Sequence, residues 1–224
     1  MRNSIRHLVG WLLLSMGAAS VLAHAEPQLY ETGPSEESSY VRFVNATEQD
    51  IAVISTQGSA KVELTAQAEG RASRFFPVKS GSKLSATIQS NNRKIPVDVV
   101  GSPWEYITIV IVPSGHGRVK TKLVREIPSD FNAMRASLAL FNLDAQCSAA
   151  VMQGGAKNVT ILDKVQPFSV QRRLVNPVKL SASVACTGHS GSAAVDLSQL
   201  QAGERYSVFL LTLKNTRQTF FVRD

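Results

Sequence analysis

Cysteine, histidine and aromatic residues are all scarce in this chain. Its 224 residues include 2 Cys, 4 His and 7% aromatics. Metal ligation needs His, Cys or carboxylates clustered at ligand spacing, and a few scattered histidines do not supply it. No metal and no cofactor are expected. Cys-x-x-Cys is missing, so redox exchange has no motif. Phosphate-loop glycines are missing too, since Gly154-Gly155 is a lone turn pair. Past the first 25 residues no window is long and apolar enough to span a bilayer.

Those first residues form an export signal. Arg2 and Arg6 precede an apolar run from Leu8 to Leu22, which ends in the small-x-small tripeptide Ala23-His24-Ala25. The run is shorter than the roughly 20 residues of a membrane helix. No Cys follows the tripeptide, which argues against a lipid anchor. A signal peptide over 1–25 is expected, with a mature chain outside the cytoplasm. Its loss takes two arginines and no acid, so 24 basic and 17 acidic residues become 22 and 17. That mild excess is well short of a nucleic-acid footprint. It suits an anionic polymer or a bilayer face, and a solvated surface equally well.

What the mature chain does contain is a repeat. Tyr40 to Ala46 (YVRFVNA) is echoed by Ser137 to Leu143 (SLALFNL), 97 positions later. Lys83 to Ala86 returns as Lys179 to Ala182, 96 positions later. Glu105 to Val110 pairs with Arg205 to Leu210 at an offset of 100, and Thr121 to Glu126 with Thr219 to Asp224 at 98. Four echoes in one order at near-constant spacing mark an internal duplication, with length changes left to loops.

Each copy has the period of strands. Ile51–Ser55, Phe75–Val78, Lys83–Ile88, Ile95–Val100, Tyr106–Val112 and Lys120–Arg125 are short, β-branched or alternating, and separated by turn residues. Pro96 demotes its strand towards an edge. Tyr206–Leu213 and Gln218–Arg223 close the second copy as a hairpin. The expected architecture is all-β: two tandem, duplicated antiparallel β-sandwiches, Ig-like or jelly-roll-like, after the signal peptide. The expected divisions are a signal peptide at 1–25, a flexible leader at 26–39, and sandwiches at 40–128 and 129–224. A join this short, near Pro128-Ser129-Asp130, leaves little freedom between the copies.

Cys147 and Cys186 both fall in the second copy and, in an oxidising compartment, are expected to form a structural disulfide. The catalytic candidates are thin. His116 sits between glycines at a hairpin tip. His189 and Ser190 lie in Thr187-Gly188-His189-Ser190-Gly191, which lacks the Gly-x-Ser-x-Gly spacing and strand–helix setting of a nucleophile elbow. Trp104, Tyr106 and Tyr206 could stack on sugars, but aromatics at the start of buried strands are usually core. Asn45-Ala46-Thr47 and Asn158-Val159-Thr160 match sequons that only a eukaryotic secretory pathway would use.

Leu29-Tyr30, the Pro-containing spacer, and then Tyr40-Val41-Arg42-Phe43-Val44-Asn45-Ala46 resemble the start of the mature AlgF family of alginate biosynthesis proteins. The resemblance extends over essentially the whole chain. It implies a periplasmic, non-catalytic accessory of alginate O-acetylation that helps add acetyl groups to mannuronate hydroxyls. The implied partners are the periplasmic and inner-membrane acetylation proteins, with no nucleic acid and no stable membrane insertion. The anionic polysaccharide itself is a further candidate partner, and Arg71, Arg74, Arg93, Lys94, Arg172 and Arg173 are its candidate contacts. Two rival readings are an acetyltransferase or esterase subunit using Ser190 and His189, and a chaperone-like sandwich that exchanges a strand.

Overall fold

The computed structural model describes residues 37–129, 131–189 and 191–224. The signal-peptide reading, almost all of the leader reading, and Ser190 lie outside the described residues. Among the described residues sixteen strands fall into two sets of eight. The first module has β1 (Ser38–Asn45), β2 (Ile51–Ser55), β3 (Lys61–Leu64), β4 (Phe76–Lys79), β5 (Lys83–Ser90), β6 (Arg93–Val100), β7 (Tyr106–Pro113) and β8 (Val119–Glu126). The second has β9 (Ala136–Asn142), β10 (Ala150–Gly154), β11 (Val159–Val165), β12 (Ser169–Val175), β13 (Lys179–Cys186), β14 (Ser192–Gln199), β15 (Arg205–Leu213) and β16 (Thr216–Arg223). Among the described residues a single 3-10 turn, Ala68–Gly70, interrupts the strands.

Each module is a sandwich of two four-stranded sheets. The orders are β3-β2-β5-β6 and β4-β1-β7-β8 in the first, and β11-β10-β13-β14 and β12-β9-β15-β16 in the second. The edge position of β6 is where Pro96, which lacks an N–H, does least harm to a ladder. The all-β, duplicated reading holds, with one correction to the antiparallel expectation. β1 runs parallel to β7, and β9 parallel to β15. Strands so far apart in sequence can pair in parallel because the whole outer sheet serves as the crossover.

The register also corrects the alignment of the copies. Tyr106 lies opposite Tyr40, and Arg205 opposite Ser137. Tyr40 and Ser137 are equivalent, so the counterpart of Tyr106 is Arg205, one residue from the expected Tyr206. The backbone agrees: Tyr40 N–H donates to Glu105 O at 2.8 Å and Ser137 N–H to Glu204 O at 2.9 Å. A one-residue slip exchanges the faces of a strand. With it removed, Ile107, Ile109 and Ile111 match Tyr206, Val208 and Leu210, all turned to their own outer sheet.

Three apolar layers stack the four sheets. One lies between the sheets of the first module, around Phe43, Ile88 and Ile109. Another lies between the sheets of the second, around Leu140, Met152, Val184 and Val208. Cys147 and Cys186 are joined within this layer, with Cα atoms 5.5 Å apart. The third joins the modules: Val44, Val110, Val112 and Val124 pack on Phe141, Phe209, Leu211 and Phe220. The inner strands β1, β7, β9 and β15 are therefore buried on both faces, which explains their near-continuous apolar runs.

Candidate functional site: the seam between the modules

The inner strands carry a small polar cluster into the third layer, with Arg42 at its centre. Arg42 stands mid-way along β1, pointing away from Val41 and Phe43, and is 1% exposed. Its guanidinium lies 4.3 Å from the Phe75 ring centroid and 4.9 Å from those of Phe141 and Phe209. Every nitrogen is used. Nε donates to Thr108 Oγ1 at 3.0 Å, Nη2 to Ser207 Oγ at 3.0 Å, and Nη1 to Asp224 Oδ1 at 2.6 Å. Burial lowers the Arg42 pKa to about 10, and the charge of Asp224 opposes that fall.

A second bridge crosses the seam in the opposite sense. Arg172 on β12 donates through Nε to Glu126 Oε1 at 2.6 Å and through Nη2 to Glu126 Oε2 at 3.1 Å. Its Nη2 also lies 3.4 Å from Asp224 Oδ2. Glu126 and Asp224 are equivalent positions of the two copies, each just beyond or at the end of a closing strand. Thr108 and Ser207 are equivalent too. Each module thus gives one arginine and one carboxylate to the other; the carboxylates are equivalent positions, whereas the arginines stand on β1 of one copy and β12 of the other. The fork geometry of guanidinium on carboxylate fixes one register between the sheets.

Arg205, the counterpart of Tyr106, is the exception. Its Nε, Nη1 and Nη2 are all buried without a hydrogen-bond partner among the described residues. The guanidinium is held by rings alone, 5.0 Å from the Tyr106 centroid and 5.8 Å from that of Phe131. Burial, followed by repulsion from Arg172, pulls its pKa below the ordinary arginine value. Here three guanidiniums share two carboxylates.

The six candidate polymer contacts do not gather. Arg71 is 5% exposed, and its guanidinium donates to the carbonyls of Asn45 and Thr47 at 2.9 Å and to that of Ala66. Arg172 is consumed by the seam, its side chain 5% exposed. Both are corrected from polymer contacts to internal braces, because a donor already satisfied in a buried site has no reason to meet a uronate. Arg74, Arg93, Lys94 and Arg173 are exposed. Arg93 and Lys94 begin β6 on an outer sheet, whereas Arg173 lies on β12 of an inner one, so no single basic track unites them.

His116 and His189 are exposed turn residues, at the tips of the β7–β8 and β13–β14 hairpins. Among the described residues no three His, Cys, Asp or Glu form a group able to hold a metal. No helix among them is long and apolar enough to cross a membrane. Trp104, expected in the core, is 58% exposed.

The family described as "Alginate O-acetyl transferase AlgF" matches residues 11–207. The chain belongs to the AlgF family. Membership involves this AlgF chain in alginate O-acetylation and associates it with that machinery. No curated protein matches it beyond this. Among solved structures it is similar to a putative cell adhesion protein of Bacteroides uniformis ATCC 8492, at 12% identity and TM-score 0.31, covering 86% of this chain and 99% of that one. A family 26 carbohydrate-binding module from Eubacterium rectale Amy13K, solved with maltoheptaose, is similar at 9% identity and TM-score 0.26, covering 84% and 97%. At such low scores neither says what this chain binds.

Proposed function

We propose that this chain is a periplasmic, non-catalytic adaptor that bridges the acyl-transfer proteins of alginate O-acetylation. The observation that carries the reading is the seam. A shared apolar layer and two crossed Arg–carboxylate bridges lock two modules into one body, leaving their outer sheets on opposite sides. Such a body holds two partners at a fixed separation, which a catalyst working alone does not need. The family supplies the context of the partners.

The mature chain, used as bait in extracts of an alginate-producing cell, should retain identified acetylation proteins together. A bait that retains none of them, or a purified chain that turns over an acetyl-ester surrogate, ends the adaptor reading. Direct polymer contact now rests on Arg74, Arg93, Lys94 and Arg173. It predicts weak binding to alginate that fades as salt rises past the range where the Debye length falls below ~10 Å.

A further inference from the structure

One end of the molecule has features that folding does not explain. β1, β7, β9 and β15 all begin there, and β8 and β16 end there. Trp104 sits in the turn before β7. Pro103 precedes it, its φ is 63°, and Glu105 N–H closes on Ser102 O at 3.2 Å. This is the pattern of a type II turn with tryptophan where glycine belongs. A left-handed φ is disfavoured for a residue that carries a side chain, and the exposed ring recovers little by burial. Strain at an exposed, bulky residue is the kind that function retains.

Three more apolar side chains crowd the same end. Ile127 follows the end of β8 and is 67% exposed; Phe131 and Met134 precede β9 and are 76% and 79% exposed. Phe131 covers the guanidinium of Arg205, whose nitrogens lack partners. Alongside lies an open recess of about 410 Å³, floored by Glu126 and Arg172 and walled by Ile127, Pro128, Arg173 and Leu174. An exposed ring over an unsatisfied guanidinium is a poor end state for a free surface. It becomes a good one once a carboxylate arrives under the displaced ring.

We propose that this end is a docking surface for a partner protein, which presents an apolar face around one carboxylate that pairs with Arg205. The proposal rests on the adaptor reading and gives one of the partners a site at the end of the seam, apart from the outer sheets. Tryptophan, phenylalanine, methionine and arginine are the residues enriched at protein interfaces. A polyuronate, with a carboxylate on every sugar, would need an open run of cations; at this end Arg125, Arg172 and Arg223 are paired with Glu105, Glu126 and Glu204, Arg205 lies under a ring, and Arg135 and Arg173 stand open. An anionic lipid surface would likewise need several open cations, and three of those at this end are already paired with carboxylates.

The test uses the full mature chain in the alginate-producing cell. A photo-crosslinking residue is placed at position 104 or 131, with position 93 on the β5–β6 hairpin as control. The expected result is one acetylation protein joined from 104 and 131 and not from 93. Trp104→Gly should unfold no earlier than the native chain, because glycine relieves the turn, yet retain at least about tenfold less of that protein. Arg205→Met should lose it similarly, and Arg205→Lys should recover part. Crosslinks into lipid, polysaccharide or a second copy of this chain would overturn the assignment, as would capture unchanged in both Trp104→Gly and Arg205→Met. Unchanged capture leaves the adaptor reading standing on another face. If the native chain retains no acetylation protein at all, both fall.

Discussion

Arg42 occupies a strand position whose neighbours on either side are core, and a guanidinium there costs several kcal/mol to desolvate. It is held because Asp224, Thr108, Ser207 and three rings meet all of its needs at once. Replacing such a pair with apolar groups is often neutral, whereas removing one partner is not. Arg42→Ala should therefore lower unfolding stability by about 3–5 kcal/mol, with Asp224→Asn close behind. The double variant should cost clearly less than the two losses together, in a denaturant double-mutant cycle. Additive losses would mean that the bridge does not couple the modules. The sequence displayed Arg42 plainly, inside YVRFVNA, but a charge in an alternating strand reads as solvent-facing. Only knowledge that both faces of β1 are covered, which is a tertiary fact, turns it inward. Arg205 was hidden for a different reason. The tyrosines at 106 and 206 invited an alignment one residue out of step, which concealed that Arg205 stands in the place of Tyr106.

At the level of strands and turns the sequence was more informative. Period-two patterning located the ends of β2, β5, β7, β8, β15 and β16 within a residue or two, because those strands separate apolar from polar faces or are apolar throughout. β3 was missed: Lys61–Leu64 is short, and its burial is confined to Leu64. The parallel pairing of β1 with β7 left no trace either, since pairing partners are not encoded within a strand. The YVRFVNA echo did mark a working part that neither copy's loop sequence would reveal. Asn45 donates to Gln49 O at 2.7 Å and Thr65 O at 3.1 Å, and accepts from Thr47 N–H at 2.9 Å. Asn142 donates to Cys147 O at 2.8 Å and Val165 O at 2.9 Å, and accepts from Asp144 N–H at 3.1 Å. Each asparagine ends the first strand of its module by tying two loops to it, buried and fully paired. Alanine at either position leaves carbonyls unsatisfied in a dry site, at about 1–3 kcal/mol for each orphaned group. Asn45→Ala and Asn142→Ala should thus destabilise by similar amounts in urea. A large cost in one copy and none in the other would show that the repeat preserved the residue without its task.

For the molecule as a whole, the decisive feature is that the layer between modules is a continuous buried apolar cluster with a paired charged group set beside it. Phe141 stacks on Phe209 at 4.8 Å between ring centroids, and Phe209 on Phe220 at 4.7 Å, directly under Val44 and Val110. Separating the modules would expose that layer and strip Arg42 of Asp224 and Arg172 of Glu126. Neither half can therefore be indifferent to the other, and folding should be cooperative across the seam. Trp104 lies in the first module and reports on it, while far-UV circular dichroism reports on all sixteen strands. The two signals should fall together on heating the mature chain. Met152→Ala, which hollows the core of the second module alone, should cost about 2–5 kcal/mol and move the Trp104 transition by as much as the dichroism. The halves 37–128 and 129–224, made separately, should self-associate through their uncovered inner faces. If the Trp104 signal ignores Met152→Ala, the modules unfold independently, and a rigid bridge is the wrong description of this chain.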